Sequence, residues 1–276
     1  MNRRAFITSL AATGAGLAGA YAFLIGPNWL DVTRHAIGAG GAHRRPLSFV
    51  QLSDLHLPSH LGYLEEKVAE TVHALAPDFI VITGDAVDER GRLDVLAAFL
   101  DRLPHETKKY ATLGNWEHWA GVDLDALFRT YAQAGSTLLI NETAVYRKGE
   151  ARVLLTGLDD ATAGRPDMHH ALTDVQPAEH HLVLAHSPAY RDQLIRVLDT
   201  ELDRYTPAYM LSGHTHGGQV DLFGYKPFLP RGTGGYVEGW FTERRPHLYV
   251  SRGIGTSVLP VRFCARPEVA YFTLRV

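Results

Sequence analysis

From Leu47 onward the chain repeats one arrangement: a short apolar run, an Asp, Asn or His where the run ends, then apolar residues at helical spacing. Leu47–Leu52 leads into Ser53-Asp54-Leu55-His56, Phe79–Ile82 into Thr83-Gly84-Asp85, and Tyr110–Leu113 into Gly114-Asn115. His181–Ala185 leads into His186, and Ala208–Leu211 into Ser212-Gly213-His214-Thr215-His216. Between these runs Leu61, Leu64, Val68, Val72 and Leu75 keep a helical period. So do Leu93, Leu96, Ala97 and Leu100, then Leu124, Leu127, Phe128 and Tyr131, and later Tyr190, Leu194, Ile195 and Leu198. Strands alternating with helices predict a layered α/β domain, whose ligands gather at the carboxyl ends of the strands. Asp54, His56, Asp85, Asn115, His186, His214 and His216, seven residues from five runs, therefore describe a common rim.

Alternate residues of an extended chain point to one side, so His214 and His216 are expected to face one pocket. Gly213, Gly217 and Gly218 around them leave the backbone free to turn. Further strands are predicted at 137–140, 144–147, 153–156, 247–251 and 269–274. The stretch Phe223–Phe241 is rich in aromatic residues and glycine, and a loop of this length beside a site is expected to be functional.

The chain has 276 residues, enough for one large domain, and 46% of them are hydrophobic, enough for a real core. Its net charge of −3 offers no broad attraction for nucleic acid, so the expected partner is small or bound at a local site. The single cysteine, Cys264, rules out an intrachain disulfide and reads as a small buried residue. Residues 1–30 read as separate from the fold: Arg3 and Arg4 precede an apolar, charge-free run from Thr8 to Ile25. That run resembles a twin-arginine export signal, and it also reads as an N-terminal membrane anchor with basic flanking residues. Either reading places the domain on the far side of a membrane, with membrane contact through the N-terminus. Residues 31–46 read as a linker, and 47–276 as the domain. The oligomeric state is left open.

The rim combines oxygen donors (Asp54, Asp85, the Asn115 amide) with imidazoles (His56, His186, His214, His216) and contains no thiolate. Such a set suits Mn²⁺, Fe or catalytic Zn²⁺. Seven donors exceed the needs of one ion and fit two that share a carboxylate. Paired ions about 3.5–4 Å apart can hold a bridging hydroxide and clamp a phosphoryl group during attack.

In this order, Asp54-x-His56, Gly84-Asp85, Gly114-Asn115, His186 and Gly213-His214-x-His216 resemble the calcineurin-like metallophosphoesterase superfamily. The resemblance implies a four-layer α-β-β-α sandwich of two mixed sheets. It implies that Asp54, His56 and His216 hold one metal, that Asn115, His186 and His214 hold the other, and that Asp85 bridges. With the leader and Val250-Ser251-Arg252-Gly253-Ile254-Gly255, the similarity is to the bacterial membrane-associated branch of small phosphodiesterases. The implied activity is hydrolysis of a phosphodiester or pyrophosphate, with Asn115 also facing the substrate. A nucleotide-linked acylated sugar such as UDP-2,3-diacylglucosamine, or another lipid-linked phosphoester, fits the aromatic loop. A non-catalytic metal-binding scaffold and a mononuclear ester or amide hydrolase are the alternatives.

One position departs from the family pattern. A histidine usually follows Gly-Asn, whereas this chain reads Gly114-Asn115-Trp116-Glu117-His118. Trp116 cannot transfer a proton, so either His118 serves as the catalytic acid or the substrate brings a good leaving group; acid help is typically worth about 10²–10⁴-fold. Elsewhere the plainer expectations are that His169, His170, His180 and His181 lie on the surface, that Asp159-Asp160 forms an acidic turn, and that Asp88 caps a helix. Arg231, Arg244, Arg245 and Arg252 are candidate phosphate-binding residues.

Overall fold

The structure, a computed structural model, describes residues 3–38 and 46–276. Among the described residues twelve strands are formed: β1 (Asp31–Ile37), β2 (Leu47–Leu52), β3 (Phe79–Thr83), β4 (Lys108–Thr112), β5 (Ser136–Leu138), β6 (Glu142–Lys148), β7 (Ala151–Gly157), β8 (His180–Leu184), β9 (Tyr209–Ser212), β10 (Gly239–Phe241), β11 (His247–Val250) and β12 (Glu268–Leu274). The helices are α1 (Arg3–Ala20), α2 (Tyr63–Leu75), α3 (Leu93–Arg102), α4 (Asn115–Trp119), α5 (Leu124–Gln133), α6 (Met168–Ala171) and α7 (Tyr190–Thr200). The strands make two six-stranded sheets, ordered β1-β12-β2-β3-β4-β5 and β10-β11-β9-β8-β7-β6. Both sheets are mixed: β2 to β5 run parallel while β12 is antiparallel to β2, and β7, β8, β9 and β11 run parallel between antiparallel β6 and β10.

The two-residue alternation of the strands divides their side chains between two layers. Phe49 of β2 and Phe79 of β3 turn inward to a core shared by the sheets, with Leu155, Leu184, Leu211, Tyr249 and Phe272. Val50, Leu52, Ile80 and Ile82 turn outward onto Val68 and Val72 of α2, Phe99 of α3 and Leu127 of α5. On the other side Val183, Met210, Leu248 and Val250 meet Met168 of α6 and Leu194 and Leu198 of α7. The result is the expected α-β-β-α sandwich. At its centre Phe49 stacks on Phe79 and Phe272, with ring centroids 4.9 and 4.7 Å apart. Parallel strands joined through helices place their carboxyl ends on one side, which gathers the rim.

Several expectations are corrected. Residues 31–37 are not a linker: they form β1, whose seven residues pair with all of β12. Residues 39–45, the glycine- and arginine-containing remainder of that stretch, lie outside the described residues. The segment before Asp31 is not wholly apart from the domain either. The Arg262 N–H donates to the Ala22 carbonyl at 2.9 Å, and the Tyr21 ring meets Phe263 edge-on at 5.6 Å. The stretch Phe223–Phe241 includes the edge strand β10. Cys264 is exposed, whereas His181 is buried in the core, where its Nε2 lies 2.7 Å from the Thr156 hydroxyl. Burial pushes the His181 imidazole down to about 4, so it stays neutral there.

Phe49→Ala should cost about 3–5 kcal/mol, because it opens a cavity in a fully buried stack. Chemical denaturation checks this: the midpoint should fall, whereas an unchanged midpoint would deny the stack its central role.

Candidate metal centre

Five of the seven rim residues leave their strands through an abrupt turn. Asp54, His56, Asp85, His214 and His216 all have positive φ, between 41° and 74°. For side chains larger than glycine this left-handed backbone is unfavourable, by about 1–3 kcal/mol where it is sparsely populated. Here it aims five donors across the gap between the sheets. Two glycines allow the close approach: a Cβ on Gly114 would lie 2.1 Å from Asp85 Oδ1, and one on Gly213 would lie 1.9 Å from Ser53 Oγ.

The donors fall into two buried groups. Asp54, His56 and His216 form one and Asp85, His186 and His214 the other, with the donor atoms of each group within 4.8 Å of one another. Asp85, a member of the second group, also approaches the first: its Oδ2 is 3.0 Å from His186 Nε2 and 3.7 Å from His56 Nε2. His56 Nε2 and His216 Nε2 are 3.1 Å apart, and His214 Nδ1 is 3.2 Å from His186 Nε2. The seventh residue, Asn115, is buried, and its Oδ1 has no hydrogen-bond partner among the described residues. An acceptor buried without a partner is costly, and a cation would satisfy it. This orphaned oxygen, together with two carboxylates and four imidazoles free of sulfur, fits divalent metal ions. Strand alternation does not explain His214 and His216: both lie beyond the end of β9, and their left-handed backbones send them to different groups.

The surrounding bonds fix how each ring presents itself. His186 Nδ1 is 2.8 Å from the Thr83 carbonyl and His214 Nε2 is 2.5 Å from the Arg231 carbonyl, so each ring donates outward and turns its other nitrogen to the centre. Arg262, fully buried, donates to the carbonyls of Gly255, Ala265 and Arg252 and lies 3.3 Å from His216 Nδ1. Burial, His56 and Arg262 together hold His216 well below the usual histidine range, hence neutral and able to coordinate. Burial alone would raise the Asp85 carboxyl, but His186, His56 and the Trp116 N–H prevail and bring it down to about 2. These partners favour the anionic form of Asp85.

Glu117, which the motif pattern passed over, is the main support of this floor. Its carboxylate accepts from the N–H groups of Gly114, Asp85, Ala86 and Val87 at 2.8, 3.2, 2.6 and 3.2 Å. The signal was present in the sequence: Gly114-Asn115-Trp116-Glu117 has the spacing of a capping box. Arg262 carried no such signal. Asp88 caps no helix; its Oδ2 lies 3.6 Å from His56 Nδ1. Asp160 is buried and accepts from Ser187 Oγ at 2.6 Å. Of the candidate phosphate-binding arginines, Arg244 pairs with Asp199 and Arg252 with Asp31 and Glu268.

A cavity of about 510 Å³ opens onto the centre, lined by Asp85, Asn115, His214 and His216 on its floor. Trp116 and Trp119 and the segments 227–230 and 257–261 form its walls. Trp116 thus faces the cavity, in edge contact with His56 at 6.0 Å. Among the described residues His118 is not part of the lining, and its Nε2 is held 2.6 Å from Asp159 Oδ1.

Buried donors at strand ends and an open cavity above them define the class of a metal-dependent hydrolase. The family model of the calcineurin-like phosphoesterases matches residues 47–218, and the chain belongs to that family; it is a metallophosphoesterase. It is 31% identical over 296 residues to the uncharacterized metallophosphoesterase YkuE of Bacillus subtilis (strain 168), covering 100% of this chain and 98% of that one. It is 30% identical over 282 residues to the phosphodiesterase YaeI of Escherichia coli (strain K12), covering 99% of each. The solved structure of the Thermus thermophilus protein TT1561 shares the fold, with a TM-score of 0.50 at 13% identity over 76% of this chain and 90% of that one.

The Asp159 bond raises His118 above its usual value against the opposing effect of burial. Burial would raise Asp159, but its hydrogen bonds to His118 and the Arg165 N–H hold it below the usual carboxylate range. A raised folded-state His pKa stabilises below the unfolded value and loses that contribution as pH rises through the folded one. Asp159→Asn should therefore reduce thermal stability more near pH ~5.5 than near pH ~9, and should lower the His118 titration midpoint seen by NMR. An unmoved midpoint would show the two side chains uncoupled in solution.

Proposed function

We propose that the rim holds two divalent ions, one on Asp54, His56 and His216 and the other on Asn115, His186 and His214, with Asp85 shared. The reaction is hydrolysis of a phosphodiester or pyrophosphate. The observation that carries this reading is the reach of Asp85 from its own group toward His56 of the other, with the orphaned Asn115 oxygen also under the cavity. When bound, such ions polarise phosphoryl oxygens and supply a nucleophile from water at neutral pH. The mix of carboxylate, amide and imidazole suits Mn²⁺, with Fe or Zn²⁺ as substitutes.

The chain's own residues do the rest. The Gly114–Glu117 turn positions Asn115 and the Trp116 wall, and Trp116 excludes water from one side of the cavity. His118 stands as the candidate acid from the sequence, yet its Asp159 partner and its place outside the lining favour a reaction that relies on a good leaving group. The apolar segment Thr8–Asn28, 21 residues long, matches a bilayer core about 30 Å thick at 1.5 Å per residue. It anchors the domain to a membrane, with export by a twin-arginine route as the orientation its leader favours. The similarity to the E. coli phosphodiesterase YaeI supports a diester over a monoester.

Metal-stripped protein titrated with Mn²⁺ should bind two ions per chain and then cleave a soluble bis-aryl phosphodiester. Asp85→Asn should lower that turnover by more than about 100-fold, beyond the usual cost of losing an outer-sphere partner. Full turnover in this variant with metal still bound would end the assignment. His118→Ala should leave the dependence of rate on leaving-group pKa unchanged; a loss concentrated on poor leaving groups would instead make His118 the acid.

A further inference from the structure

The walls of the cavity continue outward as a bare apolar rim. Phe228 and Leu229 on one side and Val258 and Leu259 on the other line the cavity yet are 59%, 44%, 87% and 52% exposed. Beside them Leu222 and Tyr225 pair as a two-residue hairpin, whose tip carries Phe223 and Gly224 at φ of 57° and 96°. Such tips favour Asn-Gly or Asp-Gly, whose short polar or absent side chains tolerate positive φ. Here the tip holds a phenyl ring that is 100% exposed. A strained backbone that displays a large apolar side chain to solvent is disfavoured unless something apolar receives it.

The structure also indicates the receiver. The apolar segment Thr8–Asn28 docks onto residues 262–263 through the Ala22 carbonyl and the Tyr21 ring, immediately after the cavity-lining Val261. Gln219 ties this region together: its Nε2 donates to the Leu259 carbonyl at 3.0 Å, and its Oε1 accepts from the Ser257 N–H at 2.8 Å. Trp29, just past the segment, lies under the Arg266 guanidinium at 3.9 Å, and tryptophan and arginine are residues that settle at headgroup level. Asp221 and Glu238, the acidic residues flanking the hairpin loop, are both paired with Lys226, which lowers the cost of bringing this loop to an apolar surface.

We propose that the hairpin 222–225 and the loops 227–230 and 257–259 seat in the same lipid bilayer as the N-terminal segment. The cavity mouth then opens toward the lipid, and the substrate is an amphiphilic phosphoester whose apolar part enters between the two walls while its phosphate reaches the metal centre. The seating is independent of the proposed chemistry; the substrate class rests on it.

The test uses the full-length protein in phosphatidylethanolamine–phosphatidylglycerol vesicles with brominated acyl chains. Cys264→Ser removes the one native thiol. A fluorophore is then placed at Phe223→Cys, at Val258→Cys or, as a control, at Glu150→Cys in the β6–β7 turn at the opposite strand ends. Seating to a depth of ~5–10 Å should quench the first two labels about twofold and leave the third unchanged. Unquenched labels at 223 and 258, or shielding that follows protein concentration and not lipid, would overturn the proposal; the latter would indicate a second copy. In a second measurement, Phe223→Asp/Tyr225→Asp should cut turnover of a bilayer-embedded diester by about tenfold or more while sparing the soluble bis-aryl diester, because charge opposes insertion at the interface. Equal loss on both substrates would count against lipid-side entry. Wild-type silence on the soluble diester would sink the phosphodiesterase reading, and the quenching result would still decide the seating.

Discussion

The contact on which the site depends is that between Asp85 and His186, 3.0 Å apart and contributed by different sheets. A buried carboxylate is costly without cationic or hydrogen-bonded company, and Asp85 finds both. It has His186 across the gap, His56 on its own sheet, and the Trp116 N–H at 2.8 Å. None of these partners is local in sequence, so the contact exists only when the two sheets close on their shared core. The stacked phenylalanines between the sheets, the close glycine turns and the left-handed strand exits all serve that convergence. The backbone cost of five donors with positive φ is offset by the rigidity of the strands from which they leave.

Above this polar floor the cavity is unusually apolar. Trp116, Trp119, the Pro-Phe-Leu-Pro stretch at 227–230 and Val258, Leu259 and Val261 surround the buried donors. That contrast of floor and wall is what the proposed amphiphilic phosphoester would meet, with its phosphate at one end and hydrocarbon at the other. Replacement of the family's usual histidine by Trp116 fits the same picture, since it adds apolar wall where a proton donor would stand. His118, three residues beyond Asn115, is turned toward Asp159 and helps hold the loop after β7.

Much of the architecture could be read from periodicity. The helices α2, α3, α5 and α7 lie where the 3.6-residue pattern placed them, and β2, β3, β4, β8, β9 and β12 lie close to the apolar runs. The strands missed were β1 and β10, both at sheet edges: polar residues interrupt the apolar signal of β1, and β10, Gly239-Trp240-Phe241, is too short to show a period. His181 was misplaced for a related reason: a histidine at the start of a strand reads as polar, yet its hydroxyl partner, Thr156, comes from the neighbouring strand. Cys264 failed in the opposite direction, because apolar neighbours in sequence did not make it buried in space.

For the site, the sequence by itself determined which candidate donors share the rim, since a donor at the carboxyl end of a parallel strand is brought to that common edge. Spacing alone left His214 and His216 facing one pocket, and only the resemblance to a known family implied that they part. Tertiary structure decided that division, as well as the seat of Asp85, the support from Glu117 and Arg262, and the partner of His118. The reason is physical. Strand ends are encoded locally by apolar runs and turns, whereas left-handed exits, buried hydrogen bonds and contacts between residues more than 100 positions apart arise only when both sheets are packed face to face.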